Sequence, residues 1–154
     1  MPPSTPHRLL TKRIWRRDFQ GSPSELMATE KWLAGIAREQ GFPSRVAFAV
    51  QICAEELLTN VMKYSGKPAP SIEVTLAIGG DVVELAVEDD GQPFDVATSP
   101  SRTLGGSLAE TEPGGLGIRL IRSFAAGLSY QRNGASNKVR ATFQLTEITD
   151  TQRA

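Results

Sequence analysis

Apolar residues recur at helical spacing or alternate with polar residues along most of the chain, and each pattern predicts its own kind of element. Ser22-Pro23-Ser24-Glu25 opens the first helix with a hydroxyl cap, an early proline and an early carboxylate. Glycine and proline end the helices and mark the turns of two hairpins. In chain order, the pattern predicts a strand within residues 8–17, helices over 22–41 and 44–64 (the second capped by Ser44), strands over 71–78 and 81–87, a helix over 117–126, and strands over 128–132 and 138–146.

The order of these elements predicts an α+β protein. Because two hairpins alternate with helices, we expect a two-layer sandwich in which a mixed, mostly antiparallel sheet carries the helices on one face. Residues 92–115 form a long loop rich in glycine, serine, threonine and proline, and the glycine motifs at both of its ends favour a lid. We expect one domain over residues 8–147, with a disordered tail at 1–7 and a second tail at 148–154.

Composition narrows the classes of function. The 154 residues include 17 basic and 17 acidic side chains, so a net charge of zero gives no global attraction to nucleic acid or to a membrane surface. One cysteine, Cys53, rules out an intramolecular disulfide and suits a reducing cytoplasm, and the single histidine, His7, argues against any site that needs a histidine pair. No apolar run approaches the roughly 20 residues that span a bilayer, and the first residues lack the apolar segment of a signal peptide. The basic segment at residues 8–17 fits either the solvent side of a strand or a partner-binding surface.

The second predicted helix carries polar residues where its pattern calls for apolar ones. Glu56 and Asn60 stand four residues apart, so their side chains project from one side of the helix, about one turn apart. Since burying an unpaired carboxylate costs several kcal/mol, a pocket that holds water, a cation or a substrate favours this placement. The alternative is that Glu56 pairs with Lys63 or faces solvent.

Asp89-Asp90-Gly91 ends a predicted strand, a common place for ligand contacts. The carboxylate of Asp89 can accept a hydrogen bond from the 6-amino group of adenine, and Gly91 allows the backbone to approach a flat ligand. The alternative is an ordinary β-turn, for which this tripeptide is also typical.

Gly114-Gly115-Leu116-Gly117-Ile118-Arg119 lies between the long loop and the third predicted helix. Glycines that open a helix expose backbone N–H groups next to the positive end of the helix dipole, which suits phosphate. The segment is not a P-loop, because no Lys-Ser or Lys-Thr follows, and no strand leads directly into it as a dinucleotide-binding turn requires. The alternative is a flexible loop end followed by a helix start.

Taken in order, the three motifs resemble those of the GHKL family of ATP-binding proteins, which includes gyrase B, MutL, heat-shock chaperones and histidine kinases. The stretches EELLTNVMKYSG, VEDDGQPFD and GGLGIRLI are most similar to the small anti-sigma serine/threonine kinases of the RsbW and SpoIIAB type. The resemblance extends over residues 9–145 and implies the GHKL, or Bergerat-type, ATPase fold.

The resemblance assigns roles to the polar face of the second helix. It implies that Glu56 is the general base and that Asn60 ligates Mg²⁺, which prefers few protein ligands and keeps water and phosphate oxygens around it. Lys63 is close enough in sequence to reach phosphate.

The resemblance also implies a nucleotide site on the other motifs. Asp89, with Gly91 beside it, matches the adenine-binding positions, and Gly115 and Gly117 match the phosphate-side glycines. Thr142 corresponds loosely to a family threonine near the adenine aspartate.

The implied function is an ATP- and Mg²⁺-dependent serine/threonine protein kinase that also sequesters a sigma factor. Its substrate would be a small anti-anti-sigma antagonist of the STAS type, and a homodimer is possible, without direct contact to nucleic acid or membrane. We expect a cytoplasmic protein. Pro93 stands where many family members have a second glycine. The alternatives are a non-catalytic module that binds a sigma factor or another regulator in a nucleotide-dependent way, and an α+β domain that binds no nucleotide.

Overall fold

The predicted helices and strands are present, with shifted ends, in the computed structural model, which describes residues 12–96 and 115–146. The predicted tails and most of the predicted lid lie outside the described residues. The elements are β1 (Arg13–Gln20), α1 (Pro23–Glu39), α2 (Ser44–Tyr64), β2 (Ser71–Gly79), β3 (Val82–Asp89), α3 (Gly115–Phe124), β4 (Gly127–Asn133) and β5 (Ser136–Gln144).

The five strands form one sheet in the order β1-β2-β3-β5-β4, and all four pairings are antiparallel. The last strand, β5, lies between β3 and β4, so it pairs with β3, from which α3 and β4 separate it in the sequence, as well as with its hairpin partner β4. This architecture confirms the predicted α+β fold. The sheet was expected to be mixed and mostly antiparallel, and all of its pairings are antiparallel.

The core lies between the sheet and α2, which is flanked by α1 and α3. One stripe of α2, including Val50, Cys53 and Leu57, is buried against residues of β3 such as Leu85 and Val87. Each large apolar side chain buried in this way stabilises the fold by about 1.5–3 kcal/mol relative to exposure. The stripe therefore fixes the rotation of α2, and with it the direction in which the polar residues of its last turns point.

The starts of the first two helices differ in chemistry. The Ser22 hydroxyl accepts a hydrogen bond from the Glu25 backbone N–H at 3.3 Å, as the predicted cap requires. The predicted cap at Ser44 is wrong, because Pro43 occupies the capping position and makes no side-chain hydrogen bond there. Ser44 is already helical.

The second hairpin turns more tightly than predicted. The expected five-residue connection is in fact two residues long, because Asn133 pairs with Ser136 and Gly134 adopts a φ of 57°. A positive φ is accessible to glycine without steric cost. Strand β5 therefore begins at Ser136, and Asn137, expected in the turn, is a strand residue.

No helix within the described residues is both long and apolar enough to cross a bilayer.

Candidate functional site

The last turns of α2 and the end of β3 enclose a pocket, which we call the α2–β3 pocket. Its walls combine apolar side chains with a few polar groups that converge from different elements. The lining residues are Leu57, Asn60, Val61, Tyr64, Ser65, Val87, Asp89, Gln92, Phe94, Val96, Asn137 and Val139. A mainly apolar cleft with a few placed polar groups is the usual form of a small-molecule site.

The carboxylate of Asp89 is fixed in this pocket. Asp89 is buried, and its Oδ1 atom accepts hydrogen bonds from the Gly91 backbone N–H at 2.8 Å and from Asn137 Nδ2 at 3.1 Å. Arg132 supports the same loop by donating to the Gly91 carbonyl at 2.7 Å. Within the described residues no hydrogen bond goes to Asp89 Oδ2. One oxygen of the carboxylate is thus held by the protein, and the other can accept a hydrogen bond from a ligand.

Gly91 is needed by the protein's own packing. A Cβ atom added there would lie 2.6 Å from Ser65 Cβ and 2.7 Å from Ser65 Cα, far inside van der Waals contact. The sequence suggested that this glycine makes room for a ligand. In the structure it makes room for the end of α2, and its N–H donates to Asp89 Oδ1.

Asn60 supplies an unsatisfied polar group inside the pocket. It is only 3% exposed, and its Nδ2 atom is buried without a hydrogen-bond partner in the described part of the chain. A buried amide group without a partner costs about 1–3 kcal/mol. A ligand that bonds to this carboxamide would remove the cost, so the position fits a bound polar group.

Glu56 lies one turn before Asn60 and outside the residues that line the pocket. Burial raises the pKa of its carboxyl, the neighbouring charge of Glu55 raises it further, and Lys63 lowers it. Lys63 follows Glu56 by seven residues, about two helical turns, so the two side chains project from the same side of α2. A carboxylate with a raised pKa is a better proton acceptor than an ordinary surface glutamate.

Two aromatic rings narrow the pocket. Tyr64 and Phe94 stack with their centroids 4.7 Å apart and their planes at 15°. The cavity between the walls has a volume of only about 20 Å³. That is room for about one water, so a flat base enters only if the lining side chains move apart.

The glycine motif opens α3. The helix begins at Gly115, two residues earlier than predicted, so Gly115 and Gly117 both belong to its first turn. Ile121 of the same helix is fully buried in the core, which anchors α3 beside α2. The N–H groups of a first helical turn lack intrahelical partners and suit an anion.

The structure does not bring Thr142 to this site. Thr142 pairs with Glu84, whereas Asp89 pairs with Asn137, five residues away along β5. At about 3.3 Å per residue this is roughly 16 Å. Side chains also alternate between the faces of a strand, so Thr142 lies on the face opposite to Asp89. The match of Thr142 to the family threonine depended on one residue of the last strand, without knowledge of how that strand pairs with β3.

Sequence reasoning missed Asn137, which occupies the place next to Asp89. The available signal was the period of two in Val139, Ala141 and Phe143. Extended back by one step, that period places Asn137 on the buried face, where a polar residue requires partners.

Comparisons with known proteins identify the family of the chain. The profile of the histidine kinase-like ATPase domain family matches residues 19–143. The serine/threonine-protein kinase BtrW of Bordetella bronchiseptica is 36% identical over 114 residues, which cover 72% of this chain and 80% of BtrW. The serine-protein kinase RsbW of Listeria monocytogenes is 31% identical over 97 residues, which cover 59% of this chain and 62% of RsbW.

Two solved structures share the fold. The RsbU and RsbW domains of a Mycobacterium tuberculosis protein superpose with a TM-score of 0.65 at 13% identity, covering 88% of this chain and 33% of the other. The SiaB–SiaC complex from Pseudomonas aeruginosa superposes with a TM-score of 0.63 at 16% identity, covering 85% of this chain and 90% of the other. At such identities the likeness concerns the fold.

The fold and the matched profile define an ATPase-type domain, and the chain belongs to the histidine kinase-like ATPase domain family. The named relatives confirm the resemblance to the RsbW-type kinases and the expected class of enzyme, a protein kinase.

Proposed function

We propose that this protein is an ATP- and Mg²⁺-dependent serine/threonine kinase that phosphorylates a small anti-anti-sigma antagonist and thereby controls a sigma factor in the cytoplasm. The observation that carries the proposal is the α2–β3 pocket, where Asp89 presents one open carboxylate oxygen and Asn60 presents an amide nitrogen without a hydrogen-bond partner among the described residues. These are acceptor and donor groups that a nucleotide would satisfy.

The base end of the nucleotide would be held at Asp89. An open carboxylate oxygen accepts from an amino group and repels a carbonyl oxygen, so adenine fits better than guanine or hypoxanthine at this point. The apolar walls, among them Leu57, Val87 and Val139, would exclude water from the faces of the base. Bound ATP would supply the transferable phosphoryl group.

The phosphate end would lie toward Asn60 and the first turn of α3. The Asn60 carboxamide offers an oxygen for a cation and an N–H group for a phosphate oxygen. Mg²⁺ needs few protein ligands because it keeps water and phosphate oxygens in its shell.

Glu56 would accept the proton of the incoming hydroxyl. Its raised pKa improves it as a base, and the opposing influence of Lys63 helps to keep it ionised near neutral pH. In phosphoryl transfer most of the rate comes from positioning and charge stabilisation, and a general base adds about 10²–10⁴-fold.

The class of substrate follows from the relatives. BtrW is named a serine/threonine-protein kinase and RsbW a serine-protein kinase, so a hydroxyl side chain on a protein is the proposed acceptor. We carry over three further features from the resemblance to the RsbW- and SpoIIAB-type kinases: the anti-sigma role, a sigma-factor partner and a homodimer.

A nucleotide-binding and phosphate-transfer experiment tests the proposal. The thermal stability of the protein is measured with and without Mg-ADP, and ligand at 100 times its Kd adds about 2.7 kcal/mol to the free energy of unfolding. Radiolabelled ATP is then incubated with the protein and with each small anti-anti-sigma protein encoded in the source genome, and labelled serine or threonine is expected on one of them.

Variants separate binding from catalysis. Glu56→Gln is expected to lower the transfer rate by about 10²–10⁴-fold while the Kd for ADP stays within about twofold. Asp89→Asn is expected to weaken ADP binding. Glu55→Gln, on the adjacent residue of the same helix, serves as the matched control and should retain transfer. Full transfer by Glu56→Gln would refute its role, nucleotide binding without any transfer would favour the non-catalytic module, and no stabilisation by Mg-ADP would refute nucleotide binding.

A further inference from the structure

Asn137 is held in a single orientation by a set of hydrogen bonds. Its Oδ1 atom accepts from the Tyr130 hydroxyl at 2.6 Å, and its Nδ2 atom donates to the Gln92 carbonyl at 2.8 Å and to Asp89 Oδ1 at 3.1 Å. The Gly91 carbonyl lies 3.4 Å from the same Nδ2 atom. A flipped amide would turn its oxygen toward a carboxylate and two carbonyl oxygens, so the contacts themselves define which end is which.

This arrangement decides which oxygen of Asp89 is available. Oδ1 already receives two donors, the Gly91 N–H and Asn137 Nδ2, so the carboxylate cannot rotate without losing both hydrogen bonds. Hydrogen bonds to a charged group contribute about 1.5–3 kcal/mol each, which makes that rotation costly.

We propose that Asn137, oriented by Tyr130, is a positioning residue that fixes the open oxygen of Asp89 and thereby sets the preference for a purine that carries an amino group, and not a carbonyl oxygen, at C6. The inference rests on the proposed function, since it concerns the nucleotide that the same pocket binds. Asn137 acts through Asp89.

The proposal separates a structural role from a selective one. If Asn137 only stabilises the fold, its loss weakens every nucleotide equally. If it aligns Asp89, its loss weakens adenine nucleotides and spares inosine nucleotides, because hypoxanthine carries a carbonyl oxygen where adenine carries the amino group and cannot use the carboxylate.

The test compares the dissociation constants of Mg-ADP and Mg-IDP, measured by calorimetry on the full chain. In Asn137→Ala the Kd for ADP is expected to rise about tenfold or more, because that factor corresponds to the loss of roughly one charge-assisted hydrogen bond. The Kd for IDP is expected to change by less than about threefold. Tyr130→Phe removes one hydroxyl and keeps the ring, so it is expected to fold and to reduce the ADP preference by a smaller factor. Asn133→Ala, an exposed asparagine on the same hairpin, is the matched control and should leave both constants unchanged.

Three outcomes would overturn the inference. Equal losses for both nucleotides in Tyr130→Phe and Asn137→Ala would show a purely structural role. If the ratio of the Kd for IDP to the Kd for ADP is the same in both variants as in wild type, Asn137 does not align Asp89. A wild-type protein that binds ADP and IDP equally well would refute the inference while leaving nucleotide binding intact, whereas a wild type that binds neither would refute the proposed function as well.

Discussion

Gly91 and Ser65 meet so closely that no side chain fits between them: a Cβ atom on Gly91 would lie 2.6 Å from Ser65 Cβ. Ser65 caps the C-terminus of α2, and Gly91 follows the end of β3. A backbone hydrogen bond from the Gln92 N–H to the Ser65 carbonyl, at 2.9 Å, joins the same two segments. The contact therefore fixes the distance between the helix that carries Asn60 and the strand that carries Asp89.

Gly91→Ala is expected to destabilise the protein and to weaken nucleotide binding together. The added methyl group forces a shift of the backbone at Ser65 or Gly91, and this shift weakens the hydrogen bond from the Gly91 N–H to Asp89 Oδ1. Overpacking of this kind costs about 1–3 kcal/mol, measurable by urea unfolding. Gly35→Ala is the matched control: no atom lies within 4 Å of its added Cβ, and alanine in a helix is expected to stabilise by roughly 0.5–1 kcal/mol. Equal stability of Gly91→Ala and wild type would contradict the close contact.

Phe94→Ala is expected to speed the association of nucleotide. Because Tyr64 and Phe94 stack at 4.7 Å and the pocket between its walls is narrow, the rings separate before a base enters. An aromatic pair contributes about 0.5–1.5 kcal/mol, so removing it raises the association rate by about two- to tenfold. Stopped-flow mixing with a fluorescent ADP analogue measures this rate. Phe48→Ala, at an exposed phenylalanine of α2 away from the pocket, should leave it unchanged. A rate unaffected by Phe94→Ala would mean that the stack does not limit entry.

Glu56→Gln is expected to stabilise the fold at neutral pH. Burial and the charge of Glu55 raise the pKa of Glu56, so the folded protein favours the protonated form, and ionisation lowers the free energy of unfolding as pH rises above the ordinary glutamate value of 4.5. Glutamine does not ionise, so the variant does not lose stability in this way as the pH rises. The melting temperature of the variant should exceed that of wild type at pH 7, and the difference should shrink as the pH falls toward 4.5.

Glu55→Gln provides the comparison for this effect. It removes the second cause of the raised pKa of Glu56 while the burial of Glu56 remains, and it also removes the charge that raises the pKa of Glu30, so it measures the repulsion by Glu55 separately from the burial of Glu56. A variant Glu56→Gln that is less stable than wild type at pH 7 would show that the carboxylate is stabilised by its surroundings, contrary to the prediction.

Cys53 is expected to make stability fall at alkaline pH. Burial raises the pKa of its thiol from 9.0 to about 12, and the charge of Glu56 adds to the effect. The thiol therefore ionises in the unfolded chain first, so its contribution to the free energy of unfolding is complete below about pH 9 and is lost between pH 9 and 12. The difference in urea midpoint between wild type and Cys53→Ala isolates this group and should decrease from pH 8 to pH 10. A difference that stays constant over that range would refute the raised pKa.

The sequence alone was sufficient for the helices and strands. Helical spacing in α2 and alternation in β2 and β3 depend on local geometry, so the apolar stripe around Leu57 and the alternate residues around Leu85 identify their buried faces without any knowledge of partners. The turn at Gly134 was less well predicted, because a two-residue connection and a five-residue connection contain the same kinds of residue.

The neighbours of Asp89 required the tertiary structure. Asn137 and Ser65 lie 48 and 24 positions away in sequence, and only the pairing of β3 with β5 and the docking of α2 on the sheet bring them to the carboxylate. A shift of one residue in that register would turn every side chain of β5 to the other face of the sheet. Periodicity shows which face of a strand is buried, but the choice of strand partner depends on packing between distant segments. The sequence therefore determined that a carboxylate ends β3, and the fold decided which of its oxygens remains open.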